Sequence, residues 1–520
     1  MSNSVRRLAV LALCLAVVST VLAQSRPQNP QRPPEYNELV AASQIKDAVA
    51  RLKEFERIKA AYPASRFMAA IDNYIFNARV ELAESLVAVL ALQKESLAAA
   101  KGPARLQGPL IAADQVLTHP RLKTFDKAAV LAAVLSYRDL ALMASAEPDV
   151  YEGIPANRRE TFKSFAVTGF GILVAQAYLN AGDAAQALAA LEAFKKEGGT
   201  ADDSYFYTLG ETYGKLGRTK EAYEACLAAA VDGHEQALAS AREFYIKLNG
   251  KADGFEAALE AKGKALPYVP EPFKAPAGWK GRTTLAELFT GSECPPCVAA
   301  DVGFDGLVET YPAKYLAVLV YHLPIPRPDP MMNAASKKRQ DYYGVSSTPT
   351  VFIDGEKDAT GGGPRGLAEA KFKQYRTAVD GRLAAAPEAM LTVRAVRSGD
   401  AVKVDFDAGR AVPGAEYQVV LVQGEEKYKG SNGLEFHKMV VRDIVAVDPA
   451  AVNTASFDLA ASERSADLYL TDFENTNKRF QNFKFAERHH KIDRSRLRVV
   501  LFAQDGATKK VLNAAVADVK

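Results

Sequence analysis

Cys294 and Cys297 stand three residues apart with Pro295 and Pro296 between them. Thiols at that spacing exchange with other thiols and disulfides, capture a soft metal, or close an inert structural disulfide. The surroundings favour exchange. Residues 284–289 form an apolar run that reads as a buried strand ending at Thr290-Gly291-Ser292. Pro296 suits a first helical position, where its missing N–H costs nothing, so the motif opens a helix. Across one helical turn the two cysteines can close a small disulfide. The unpaired amides and dipole of the helix terminus favour a thiolate at Cys294. Cys294, nearer the strand end and more exposed at the helix tip, is the expected attacking thiol. Cys297, one turn in, is the expected resolving thiol that releases a mixed disulfide.

The elements that must position this pair follow in order. Residues 315–321 read as a second buried strand, and residues 332–343 have helical character. Residues 351–353 make a short strand, Asp354-Gly355 a hairpin signal and residues 356–360 its return strand. Gly361-Gly362-Gly363 lacks the lysine and serine of a phosphate loop and reads as a turn, and residues 364–386 form a last helix.

Strand, helix, strand, helix, strand, hairpin, strand, helix is the thioredoxin order. Cys294-Pro295-Pro296-Cys297 and Thr348-Pro349 resemble that family's active site and its cis-proline loop, over residues 282–387. The stretch from Ala286 to Cys297, with Tyr321-His322-Leu323-Pro324 and Thr348-Pro349-Thr350, is most similar to secreted bacterial thioredoxin-like proteins. The resemblance implies a thiol–disulfide oxidoreductase that acts on protein thiols and disulfides, works with a redox partner and needs no organic cofactor. It also implies a cis Pro349 and a Thr348 backbone opposite the disulfide, where a substrate strand pairs. In one respect the sequence departs: Glu293 precedes the first cysteine, where thioredoxin itself carries tryptophan. A carboxylate there raises the Cys294 pKa against the pull of the helix terminus. Glu293, Pro295 and Pro296 therefore tune the site and leave its redox direction open.

A metal alternative involves His322, which follows the second strand. In copper-chaperone relatives of the thioredoxin fold a histidine completes a paired cysteine site, and Cys294, Cys297 and His322 supply ligands suited to Cu(I). Those relatives space their cysteines by three residues, which this sequence does not. A histidine at a strand end is more often a structural hydrogen-bonder. The connection at residues 324–332 is rich in proline and either shapes a groove or is a stiff link, with Arg327 and Asp329 expected in solvent. His489-His490, in a basic run, reads as a solvated loop.

The chain has 520 residues, 48% apolar and 24% charged, with a net charge of +3. That is an ordinary globular composition for roughly three domains, with nothing that suggests nucleic acid. Residues 1–23 have the charged start, apolar core and small-residue end of a secretory signal, and no other stretch approaches membrane length. The expectation is an exported protein, in a bacterial periplasm, whose mature chain does not span the membrane. Residues 24–35 read as a flexible Pro/Gln-rich arm. Residues 36–262 form an alanine-rich helical domain. In it Tyr178, Gly182, Ala187 and Leu191 recur 35 positions on as Tyr213, Gly217, Ala222 and Cys226. The second copy resembles a tetratricopeptide repeat, a unit that stacks into a partner-binding surface, though such helices also serve simply to pack against their own chain. Cys226, at the Leu191 position, is expected in the core. Residues 263–281, with Pro267, Pro270, Pro272 and Pro276, read as a linker. Residues 388–520 alternate as about eight short strands, among them 467–471, and argue a β-sandwich whose end is similar to β-domains appended to secreted thioredoxin-like proteins. The fold class expected is thus multidomain: all-α helical repeats, an α/β thioredoxin-like domain and an all-β sandwich. Besides exchange, an envelope scaffold using the repeats and the β-domain is a distinct functional reading.

Overall fold

A computed structural model describes residues 33–358, 361–480 and 482–520. The expected signal and residues 24–32 of the expected arm lie outside them; the arm's last residues already enter a helix. The chain divides into two compact units, one running to residue 252 apart from residues 231–233, the other comprising those three and residues 253–520.

The first unit is helical: α1 (Pro34–Ser43), α2 (Ala48–Ala61), α3 (Met68–Leu82), α4 (Leu86–Ala99), α5 (Ala104–Leu117), α6 (Lys127–Ala144), α7 (Arg159–Thr168), α8 (Phe170–Ala181), α9 (Ala184–Lys196), α10 (Asp203–Lys215), α11 (Thr219–Val231) and α12 (Ala237–Asn249). Side chains of Asp47, Ser85, Asp126, Asp183 and Asp202 cap helix starts by accepting a backbone N–H three residues on. The 35-residue repeat is the pair of hairpins α8–α9 and α10–α11. Its glycines, Gly182 at φ 91° and Gly217 at φ 74°, end the first helix of each pair in the left-handed region. Cys226 is fully buried, as is Leu191 at the equivalent place. Burial, with a smaller push from Glu211, raises its thiol to about 12, so it is an inert core residue.

The second unit holds α13 (Phe255–Lys264), β1 (Thr284–Thr290), α14 (Val298–Thr310), β2 (Leu316–His322), α15 (Ala334–Tyr343), β3 (Thr350–Ile353), β4 (Glu356–Asp358) and α16 (Ala368–Leu383). It continues with β5 (Thr392–Ser398), β6 (Ala401–Asp407), β7 (Ala415–Lys427), β8 (Phe436–Val447), β9 (Thr454–Asp458), α17 (Leu459–Thr476), β10 (Leu497–Asp505) and β11 (Val511–Asp518). One eight-stranded sheet has the order β11-β10-β7-β8-β2-β1-β3-β4. β1 and β2 are parallel, β3 is antiparallel to β1, and β4 returns antiparallel to β3. β1 and β2 are buried along their whole length, as a parallel pair covered on both faces must be.

The C-terminal strands do not form a separate sandwich. β8 joins β2 in parallel at Val320 and Val440, so β7, β8, β10 and β11 continue the sheet across the expected boundary at 387/388. The second layer is a three-stranded sheet, β5-β6-β9. Its Val402, Val404, Phe406 and Phe457 meet Val419, Leu421, Val499 and Leu501. The alternate residues Val420, Val422, Val500 and Phe502 join the core built on β1 and β2. The pleat thus splits β7 and β10 between two cores. Residues 467–471, expected as a strand, lie in α17, where Leu459, Glu463, Ala466 and Leu470 are buried at helical spacing. A five-residue run was too short to reveal that period. The proline-rich stretch after α13 is anchored rather than a free tether. Phe273 rings against Tyr311 and Tyr315, both at 4.7 Å, and Trp279 against Tyr315 at 4.6 Å.

Candidate functional site

β1 delivers the chain into a tight turn. Cys294 N–H donates to Gly291 O at 3.0 Å, and residues 295–297 make a single 3-10 turn before α14 begins. Cys294 and Cys297 are joined by a disulfide, their Cα atoms 5.4 Å apart. The Thr348–Pro349 peptide opposite is cis. Thr348 Oγ1 donates to Ile325 O at 2.8 Å and lies 3.3 Å from Cys294 Sγ. Thus Cys294, Cys297, Thr348 and Pro349 come together. The glycine stretch does more than turn: Gly363 N–H donates to Pro296 O at 2.6 Å, and its carbonyl accepts from Ala299 N–H at 3.0 Å. A Cβ on Gly362 would collide with Pro296 O, so glycine is required for that approach.

The expected exposure of Cys294 is corrected. Neither cysteine has exposed surface, and Thr348 Oγ1 lies against Cys294 Sγ; Pro295 is the exposed member of the motif.

Asp329, expected in solvent, is fully buried and is the hub beneath the turn. Its Oδ2 accepts from Ser292 N–H at 2.6 Å, Ser292 Oγ at 2.9 Å and His322 Nδ1 at 2.9 Å; its Oδ1 accepts from Met331 N–H at 2.7 Å. Burial alone would push this carboxyl up, but His322 and the two amides outweigh it and hold it at about 2. The proline-rich loop is therefore a support of the site. Glu293, the departure from thioredoxin, is half-buried and not an isolated charge. Its Oε2 is 3.2 Å from Arg327, and its Oε1 accepts from Ser431 N–H at 3.2 Å and Tyr428 OH at 3.4 Å. Arg327 is exposed, as expected, but paired.

His322 uses Nδ1 on Asp329, and its buried Nε2 has no hydrogen-bond partner. It lines a cavity of ≈ 10 Å³ with Asp301, Asp305 and His437, room for about one water. Asp301, one turn beyond Cys297, accepts from Thr290 Oγ1 at 2.8 Å, and burial pushes its carboxyl well up. Burial likewise raises Asp305 to about 6, and burial with the neighbouring His322 lowers His437 to about 4. Among the described residues no group of three or more His, Cys, Asp or Glu is arranged to hold a metal. The alternative ligand set Cys294, Cys297 and His322 is not among such groups, and the two cysteines are joined to each other. His489, expected in a solvated loop, is half-buried with Nδ1 2.7 Å from Glu426, which raises its pKa.

Sequence reasoning missed three parts of this neighbourhood. Asp329 sits between Pro328 and Pro330, beside Arg327, where a charge reads as part of a surface loop. Glu287 is a carboxylate inside an apolar strand and so needed a cation. The structure supplies Arg339 at 2.7 Å, with Tyr321 and Tyr343 hydroxyls donating as well. The loop of residues 428–434, between β7 and β8, carried no signal.

No family model matches this chain, and no curated protein does. Among solved structures, the X-ray crystal structure of a protein from Agrobacterium tumefaciens aligns at 15% identity, covering 46% of this chain and 94% of that chain, with a TM-score of 0.29. A likeness at that level carries no argument.

Proposed function

We propose that this chain is an exported, periplasmic thiol–disulfide exchange protein of the thioredoxin-like kind, acting on partner proteins through Cys294 and Cys297. One observation carries the reading. A disulfide at the first turn of a helix, after a buried parallel strand, faces a cis-proline loop whose Thr348 oxygen is 3.3 Å from Cys294 Sγ. The strand order β2-β1-β3-β4 around it, with β3 and β4 antiparallel, agrees with the resemblance. The chemistry balances without a cofactor. A partner thiolate attacks Cys294 Sγ, forming an intermolecular disulfide, and the Cys294–Cys297 bond breaks with its electron pair on Cys297. A second partner thiolate then attacks the partner sulfur of that bond and releases Cys294 as a thiolate. The partner loses two electrons and the pair gains them; run backwards, the same steps reduce a partner disulfide. Thr348 and Pro349 orient the partner strand, and Arg327 offsets the charge of Glu293. In this reading the helical repeats, similar to tetratricopeptide repeats, present the partner.

The test is a trap. Cys297→Ser is expected to accumulate a reductant-sensitive adduct with partner proteins through Cys294, and Cys294→Ser to form none. Equal trapping by both variants, or by neither, overturns the reading. A second reading, an envelope scaffold with a structural disulfide, draws on the complete burial of both cysteines. It predicts no adduct with either variant.

A further inference from the structure

Both cysteines are inaccessible, yet exchange requires in-line approach of a sulfur to Cys294, so something must open. The segments closed around the motif are fastened in different ways. Residues 361–363 are held by backbone hydrogen bonds to Pro296 and Ala299. The β7–β8 loop is fastened to the turn before Cys294 by its own backbone. Asn432 N–H donates to Ser292 O at 3.1 Å, and a Cβ on Gly430 would collide with that same carbonyl. The proline-rich loop reaches the cis-proline loop through Thr348 and Ile325.

Among the described residues, the exposed side chain of Arg327 joins these last two loops to each other and to the turn before Cys294. Arg327, on the proline-rich loop, has 46% of its side chain exposed and Glu293 17%. Arg327 Nη2 is 3.2 Å from Glu293 Oε2 and donates to Ser431 Oγ at 2.5 Å. An ion pair with its cation exposed is weak and is screened by salt, whereas the fully buried contacts of Asp329 beneath it are screened far less. The fastening that yields first is therefore the one at Arg327.

We propose that Arg327 and Ser431 form a clasp over Glu293 that gates approach to Cys294, so that partner access is set by the β7–β8 loop and the proline-rich loop parting. The proposal rests on the exchange reading and names how that site is regulated. Neither the Arg327 nor the Ser431 side chain exchanges electrons or protons with the sulfurs; the two determine how often Cys294 can be reached. The clasp opens more readily as ionic strength rises.

The test uses the full-length oxidised protein and dithiothreitol as the attacking dithiol, with the reduced pair counted by alkylation and mass. Arg327→Gln removes the ion pair, and Ser431→Ala removes one hydroxyl without altering charge. Both are expected to be reduced about two- to five-fold faster than the unmodified protein in low salt, the range one exposed pair can hold. The unmodified protein is expected to approach their rate in 0.5 M NaCl, while the Arg327→Gln rate responds less to salt. The glutathione equilibrium midpoint of Ser431→Ala should match that of the unmodified protein, because a gate alters rates and not the end state. If all three proteins reduce at one rate to one midpoint, exchange stands and the gate falls. If only Arg327→Gln is faster, and its midpoint shifts, Arg327 acts on thiolate charge and the gate falls. If dithiothreitol reduces none of them, the exchange reading itself fails and takes the gate with it.

Discussion

Asp329 shows how much of a site one buried carboxylate can organise. Held at about 2, it stays ionised in the folded protein far below the ordinary aspartate value of about 3.9. A depressed carboxylate contributes stability that is fully present above its unfolded pKa and is lost as pH falls from about 4 towards 2. Asp329→Asn is expected to cost about 3 kcal/mol at pH 7, because it leaves His322 and Ser292 buried without their charged acceptor. Urea unfolding at pH 7 and at pH 2.5 checks this: the deficit should shrink at the lower pH. An equal deficit at both would mean that charge is not what holds the turn. At this scale the sequence was legible where residue type alone implies chemistry. Cys294, Cys297, Thr348 and Pro349 could be picked out by spacing and resemblance. Asp329 could not, because its Ser292 and His322 donors come from the turn after β1 and the end of β2, which only folding brings together, and a charge between prolines looks like a surface loop.

The repeat shows the same division between elements. The recurrence at 35 residues placed both hairpins, their terminating glycines and the core position of Cys226, because each feature is local. What it did not supply was the reason for Gly210. A Cβ there would collide with Cys226 Sγ, so α10 and α11 approach closely only because residue 210 is glycine. Gly210→Ala is expected to destabilise the first unit by about 1–3 kcal/mol through overpacking. Thermal unfolding followed by helical circular dichroism measures it, and an unchanged midpoint contradicts the close approach. Pairing Gly210→Ala with Cys226→Ala should recover part of the loss, since the second change removes the sulfur. α17 is the opposite case. Its buried face includes Glu463, held by Arg494 and by the Ile492 amide at 3.0 Å, so its helical period is not written in apolar residues alone.

At the scale of the molecule, the boundary expected at 387/388 is where sequence reading fell short. Strand patterns on either side were recognised, but edge pairing between distant strands leaves no local trace. Val422, Met439, Val441, Val500 and Phe502 complete the core that Leu285, Leu288 and Leu319 begin, and β8 covers the edge of β2. A fragment of residues 265–387 is therefore expected not to fold by itself, lacking much of its core and presenting an open strand edge. Near-ultraviolet circular dichroism and amide exchange would show this. A cooperatively folded fragment with native protection would mean that the continuous sheet is not required. The same continuity explains why a loop between β7 and β8 lies against the turn that carries Cys294.

The most direct test of the exchange chemistry is a redox equilibrium of the full chain in glutathione buffers, with Cys294 and Cys297 read by thiol alkylation and mass. The account predicts a single two-electron transition in which both cysteines change together, with a midpoint between roughly −120 and −270 mV. Cys226, buried and with its thiol pushed up to about 12, should remain unmodified while the chain is folded. A pair that stays oxidised at every glutathione ratio, or cysteines that titrate separately, would contradict the account and leave the disulfide as a structural staple.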